Sequence, residues 1–152
     1  MVCNTSLTNM TYQFPATTSW HSYPSSFQVG HRYLTELFHD HVVVEEKIDG
    51  SQFSFGMFGD ELRIRSKNQE MNVEAPEKLF ERAVETVRQI APLLTVGWTY
   101  RGECLTKPKH NTLAYARVPE GNIILFDINS GHEEFLMPIA KANEAKRLGL
   151  EV

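Results

Sequence analysis

Residues 51–66 constrain the fold more than any other stretch of this chain. From Ser51 to Phe58 the side chains alternate, with Phe53, Phe55 and Met57 on one face and Gln52, Ser54 and Gly56 on the other. Gly59-Asp60 supplies turn chemistry, and Glu61 to Ser66 alternates again, Leu62 and Ile64 inward, Arg63 and Arg65 outward. A two-residue period on both sides of a glycine turn is the pattern of a β-hairpin. Its second strand presents two arginines on a single face.

The remaining elements are read around that hairpin. Pro76 to Leu94 carries the strongest helical period, with Leu79, Phe80, Ala83, Val84, Val87, Ile90, Ala91 and Leu94 at three- and four-residue steps and Pro76 suited to a first turn. Val96, Trp98 and Tyr100 mark a strand running to Glu103, and Ile123 to Ile128 reads as a buried strand. Pro138 to Leu148 is a last helix with Gly149 as its stop signal, after which Leu150-Glu151-Val152 begins another strand with nothing to pair it. Upstream, His31 to Phe38 predicts a short helix with Leu34, Leu37 and Phe38 on one side, and the β-branched Val42-Val43-Val44 begins a strand. Strands outnumber helices, and short turns can join most of them, which predicts an α+β fold with a largely antiparallel sheet flanked by helices. Lys107 to Gly121 is a polar connection longer than a hairpin needs, hence a candidate functional loop. Residues 1–26, rich in Ser, Thr, Asn and Pro without a sustained period, read as a poorly ordered extension preceding a domain of residues 27–152.

Composition narrows the class. The chain has 152 residues, enough for one domain with a real core, and its 41% hydrophobic and 22% charged content is that of a soluble globular protein. No apolar run approaches the roughly 20 residues needed to cross a bilayer, and the start lacks the pattern of a signal peptide. Two cysteines, Cys3 and Cys104, are too few for a disulfide framework or a zinc site, so a cytoplasmic, reducing setting is expected. A formal charge of −4 excludes coating nucleic acid through bulk electrostatics, while leaving room for a local basic groove. Positive charge gathers at Arg63, Arg65 and Lys67 and again at Lys107, Lys109 and His110; the solvated-surface reading stands beside the phosphate-contact reading for each group.

Lys47 sits in Glu45-Glu46-Lys47-Ile48-Asp49-Gly50, after an apolar stretch and three residues before a glycine, which resembles a sharp exit from a sheet into a pocket. A free lysine titrates at about 10.4, so only roughly a few in ten thousand are neutral and nucleophilic at pH 7. A catalytic lysine needs desolvation or nearby positive charge, which Arg63 and Arg65 on the next hairpin are placed to supply, whereas Glu45, Glu46 and Asp49 act against it. By itself Lys-x-Asp-Gly is a weak pattern.

The order of four elements makes it specific. EKIDGSQFSFG resembles motif I of the covalent nucleotidyltransferases, the polynucleotide ligases and RNA-capping enzymes. RIRSKNQ looks like the arginine-bearing strand that follows, YRGECL resembles motif III, and IILFDI resembles motif IIIa. The match is best to ATP-dependent RNA ligases of the RNA-ligase-2-like branch and runs from about Tyr23, through KPKHNTLAYARVPEG, to near the C-terminus. The resemblance implies a nucleotidyltransferase (ATP-grasp-like) adenylylation domain using ATP and Mg²⁺. In it Lys47 would take AMP covalently and pass it to RNA ends, with no membrane partner. It further implies that Glu46 recognises adenine and that Gln52, where close relatives have Asn, lies near the phosphates. Arg65 would contact the nucleotide, Glu103 bind ribose hydroxyls, Phe126 stack on adenine and Asp127 support the loop or sugar. Arg63, Lys67, Lys107 and Lys109 are candidate phosphate or RNA contacts, and no residue is assigned to a metal.

Two later elements that the resemblance implies, a metal-binding acidic strand and a lysine-bearing strand, do not occur before Val152. Three explanations compete: a truncated frame, which is favoured, a half completed by a second polypeptide, or a remnant kept to bind nucleotide or RNA. A DNA ligase or GTP-using capping enzyme shares motif I and is the rival enzyme reading.

Overall fold

A computed structural model describes residues 18–152; the expectation for residues 1–17 of the extension, Cys3 included, lies outside the described residues. The hairpin forms as the alternation demands. Strands β1 (Ser51–Phe58) and β2 (Glu61–Ser66) pair antiparallel, with Phe55 opposite Ile64 and Met57 opposite Leu62. Gly59 takes φ 62° at the turn, a conformation that costs glycine nothing. A two-residue β3 (Glu70–Met71) extends the sheet beyond β2. Helix α1 (Glu81–Ile90) follows, then β4 (Thr99–Cys104), β5 (Ile123–Asn129) and helix α2 (Pro138–Leu148). Strand order is β3-β2-β1-β4-β5, and every neighbouring pair is antiparallel. The fold is therefore α+β, a five-stranded antiparallel sheet with two helices.

One face of the sheet is the core. Phe53, Phe55, Ile64, Tyr100, Leu125 and Ile128 pack against Phe80, Ala83, Val84 and Val87 of the α1 region and Ala145 and Leu148 of α2. The helical period upstream of β4 resolves into three pieces. A 3₁₀ turn at Lys78–Phe80 leads into α1, and a second at Ala91–Leu93 closes it where Pro92 cannot donate. α2 ends as its sequence says: Gly149 is left-handed at φ 70°, and the Leu150 N–H reaches back to the Ala145 carbonyl at 2.9 Å.

Four local expectations are corrected. His31–Phe38 is a chain of turns, not a helix; the Leu34 N–H bonds His31 O at 2.8 Å, while Leu37 and Phe38 stay exposed. Eight residues without an apolar surface to cover do not hold a helix in water. Val42–Val44 is not a strand: Val44 is 86% exposed, and no described strand lies alongside to complete a ladder. Leu150–Val152 does find a partner, since Glu151 bridges Ile124 in parallel and its carbonyl accepts the Leu125 N–H at 2.8 Å. Finally, residues 18–23 are not loose, because Ser19 and Trp20 are buried against the second face of the sheet.

That strap covers polar strand residues. Ser19 Oγ lies 2.7 Å from Thr99 Oγ1, and the Trp20 ring sits under the Arg63 guanidinium at 5.0 Å. Arg101, in the middle of β4 and fully buried, donates to Ser19 O at 3.0 Å, His21 O at 2.7 Å and Asn129 Oδ1 at 2.9 Å. Burial pushes the Arg101 guanidinium down to about 10, with the Arg65 charge adding to the effect.

Candidate functional site

At the end of the strap the polar face opens into a cleft of about 890 Å³ lined by Tyr23, Glu46, Lys47, Gln52, Lys67, Glu103, Phe126 and Asp127, among others. That volume lies within the roughly 300–1,000 Å³ of small-molecule sites. The strands set the floor: Gln52 of β1 and Glu103 of β4 are directly opposite, so their side chains share one face. Burial is the main cause that pushes the Glu103 carboxyl up to about 7; the nearby Lys47 charge pulls it down and Asp49 pushes it up.

A bulge builds the far wall. The β4–β5 register slips between Arg101 and Gly102, so that Asp127 faces Arg101 and Leu125 faces Gly102, leaving Phe126 as the extra residue. A bulge re-aims side chains, and here both Phe126 and Asp127 line the cleft while Ile128 returns to the core. Gly102 is required opposite it: a Cβ there would stand 2.9 Å from the Ile124 carbonyl oxygen. Tyr23 meets Phe126 edge-on at 5.0 Å and donates its hydroxyl to Asp127. The Asp127 carboxyl is raised, chiefly by burial, with the Tyr23 bond opposing that shift.

The segment carrying Lys47 lines the cleft without regular structure, and Lys47 itself is exposed. Two residues before it, Glu45 accepts from Lys141 Nζ at 2.7 and 2.9 Å; the same Nζ donates to Phe126 O at 2.8 Å. Lys141 is 4% exposed, and these three acceptors match its three donors. Three residues after Lys47, Gly50 rests on β4, where a Cβ would come within 2.7 Å of Cys104 O. The glycine of Lys-x-Asp-Gly is therefore a close-packing requirement.

Of the residues singled out from the sequence, Lys47, Glu46, Gln52, Glu103, Phe126 and Lys67 all line this one cleft. Arg63 and Arg65 do not. Arg63 forms a two-toothed pair with Glu70 at 2.7 and 2.8 Å, and Arg65 donates to Ser22 Oγ at 2.8 Å. The expectation that they lend charge to Lys47 thus meets arginines already engaged with β3 and the strap. Lys107 and Lys109 are exposed on the long loop and line no part of the cleft. Sequence reasoning missed Tyr23, Arg101 and Lys141. For Arg101 a signal existed, since a charged residue inside a central strand must be buried among partners; Tyr23 and Lys141 reach the cleft only through tertiary packing.

The RNA ligase family model matches residues 40–152. This chain belongs to the RNA ligase family. The match takes in the Lys47 segment, β1 to β5 and α2, and leaves the strap outside it. Among solved structures, a mutant Naegleria gruberi RNA ligase with ATP and Mn is similar in fold, with a TM-score of 0.50 and 20% identity over 68% of this chain. The alignment covers 30% of that RNA ligase's length. Comparison with curated protein sequences gave no match. No helix among the described residues is long and apolar enough to cross a membrane.

Proposed function

We propose that this RNA ligase domain carries out covalent adenylylation, with Lys47 as the nucleophile and ATP as the donor. The observation that carries the reading is the convergence of Lys47, Gln52, Glu103 and Phe126 on one cleft from three separated stretches of sequence. Phe126 offers a ring face for adenine, Glu46, lining the same cleft, offers a hydrogen-bond acceptor, and Glu103 suits the ribose hydroxyls. Lys47, as a free amine, attacks the α-phosphorus; the bond to pyrophosphate breaks, the amine loses its proton and AMP is held as a phosphoramidate. An RNA 5′-phosphate then takes the AMP, and a 3′-hydroxyl displaces it to seal the strand. Positioning and charge stabilisation dominate such transfers. Mg²⁺ would enter as part of the MgATP substrate, held mainly by phosphate oxygens. Among the described residues no group of three His, Cys, Asp or Glu side chains could hold a metal. The stretch KPKHNTLAYARVPEG supports placement in the RNA-ligase-2-like branch.

Nucleotide binding without turnover is a second reading, favoured because Arg63 and Arg65 are engaged away from the cleft. Incubation with ATP and Mg²⁺ followed by intact mass measurement separates the two. A gain of one AMP that Lys47→Ala abolishes supports adenylylation. ATP binding without an adduct sinks it in favour of the second reading, and an adduct formed from GTP alone sinks both.

A further inference from the structure

The cleft leaves the long loop between β4 and β5 unexplained, because its residues 107–121 contribute nothing to the cleft lining. Its inner residues bond instead to the turn that follows Lys47. Asp49 Oδ2 accepts the backbone N–H groups of Thr112 at 2.7 Å and Leu113 at 2.9 Å. The Asp49 N–H donates to Tyr115 Oη at 2.7 Å, and Asn111 Nδ2 donates to Gly50 O at 2.7 Å. Ser51 Oγ lies 2.9 Å from His110 Nε2, while His110 Nδ1 accepts the Thr106 N–H at 3.2 Å. The loop is pinned at its other end too: Arg117 pairs with Glu151 at 2.7 and 2.8 Å, and Glu151 sits on β5 through its bridge to Ile124.

We infer that the loop is a positioning clamp for the nucleophile, with Asp49 as its anchor residue and Tyr115 as its second contact. The inference rests on the adenylylation reading and adds the element that holds Lys47 in place. Asp49 is two residues from Lys47, which places the anchor within roughly 7 Å of the Lys47 Cα along the chain. Lys47 lies midway between two ties, Glu45 to Lys141 on one side and Asp49 to the loop on the other, on a segment with no strand ladder. An exposed lysine on an untied segment would sample many directions, and misplacing a reacting group by about 1 Å can cost about a hundredfold in rate. The two backbone N–H groups also hold the Asp49 carboxyl below the usual carboxylate range, so it stays an ionised acceptor and is not available as an acid near neutral pH. Asp49 thereby acts through the loop and does not touch the reacting atoms.

The test uses the full chain with Asp49→Ala, Asp49→Asn and Tyr115→Phe. Two readouts are followed: the rate of AMP-adduct formation against ATP concentration, and residue-resolved amide hydrogen exchange over residues 46–50 and 110–115. Asp49→Ala is expected to lower the saturating rate about 10- to 100-fold while the half-saturating ATP concentration moves less than about threefold, and to accelerate exchange in both segments. Asp49→Asn, whose amide oxygen can still accept both N–H groups, restores most of the rate. Tyr115→Phe falls between them. A rate for Asp49→Ala within about twofold of wild type, or a loss carried wholly by weaker ATP binding, overturns the clamp. Should the wild type form no adduct, the adenylylation reading fails by itself. The clamp is then decided by exchange, and equal protection of residues 46–50 in wild type and Asp49→Ala refutes it.

Discussion

On the inner face of the sheet Phe53, Phe55, Ile64 and Ile128 sit in the apolar core, with Tyr100 among them turning its hydroxyl to Glu144 at 2.7 Å, while the outer face of the same strands carries Ser54, Arg101, Glu103 and Asn129. Both faces exclude solvent over much of their area. The inner one does so mainly with side chains that need nothing but contact, such as Phe53 stacked on Phe80 at 5.4 Å. The outer one does so with polar groups that need partners, and Arg101 alone donates to four residues, Ser19, His21, Ser54 and Asn129, across distances of 2.7 to 3.4 Å. Stability is concentrated on the inner face, and chemistry is possible only on the outer one, because a buried polar surface is where pKa values and ligand contacts can be set.

The largest effect should come from the inner face. Phe55→Ala removes a fully buried ring and is expected to cost about 3–5 kcal/mol in denaturant unfolding; a loss below about 1 kcal/mol would break the contrast at its root. Arg101→Met is next. It leaves the His21 carbonyl and Asn129 Oδ1 without a donor, while the Ser19 carbonyl keeps the His21 N–H at 3.1 Å. The cost is about 1–3 kcal/mol for each group left unsatisfied, partly offset by removal of a buried charge. Hydrogen exchange should show residues 19–23 loosened while α1 keeps its protection. Uniform loosening of both would mean that the strap and the core form one unit.

Glu103 provides a pH test. Its folded pKa, about 7, lies above its ordinary value of 4.5, so the folded state binds protons more tightly than the unfolded one. Its contribution to stability is then greatest below pH 4.5 and is lost as pH rises through about 7. Glu103→Gln should flatten the fall in melting temperature across that window, and an unchanged slope would remove Glu103 as its cause. Under the proposed function, in which Glu103 meets the ribose hydroxyls, the ionised carboxyl bonds them better, so ATP affinity should rise over the same window in wild type and stay level in the variant. The smallest effect is expected at Arg63→Ala, under about 1 kcal/mol, since the Glu70 pair is half exposed and only the contact with Trp20 is sheltered.

Legibility followed the range of the interaction. The β1–β2 hairpin, the α2 stop at Gly149 and β5 were readable because period, turn and cap are local properties. Val42–Val44 misled for the complementary reason: three valines favour a strand, yet a strand exists only beside a partner, and sequence carries no record of whether one is there. Residues 18–23 were misread because Ser, Trp and His in an aperiodic stretch look unstructured until Arg101 is seen waiting beneath them.

The hairpin, the antiparallel α+β class, the order of the motifs and the candidate nucleophile Lys47 were all legible in the amino-acid sequence, because each is carried by local patterns along the chain. Tertiary structure alone decided the rest. A bulge opposite Gly102 put Phe126 and Asp127 on the same wall, the strap delivered Tyr23 to them, and the arginines of β2 turned to Glu70 and Ser22 instead of the cleft. Each of those outcomes depends on which of several partners a polar or aromatic group reaches first in space, and that competition is settled only when distant segments are packed together.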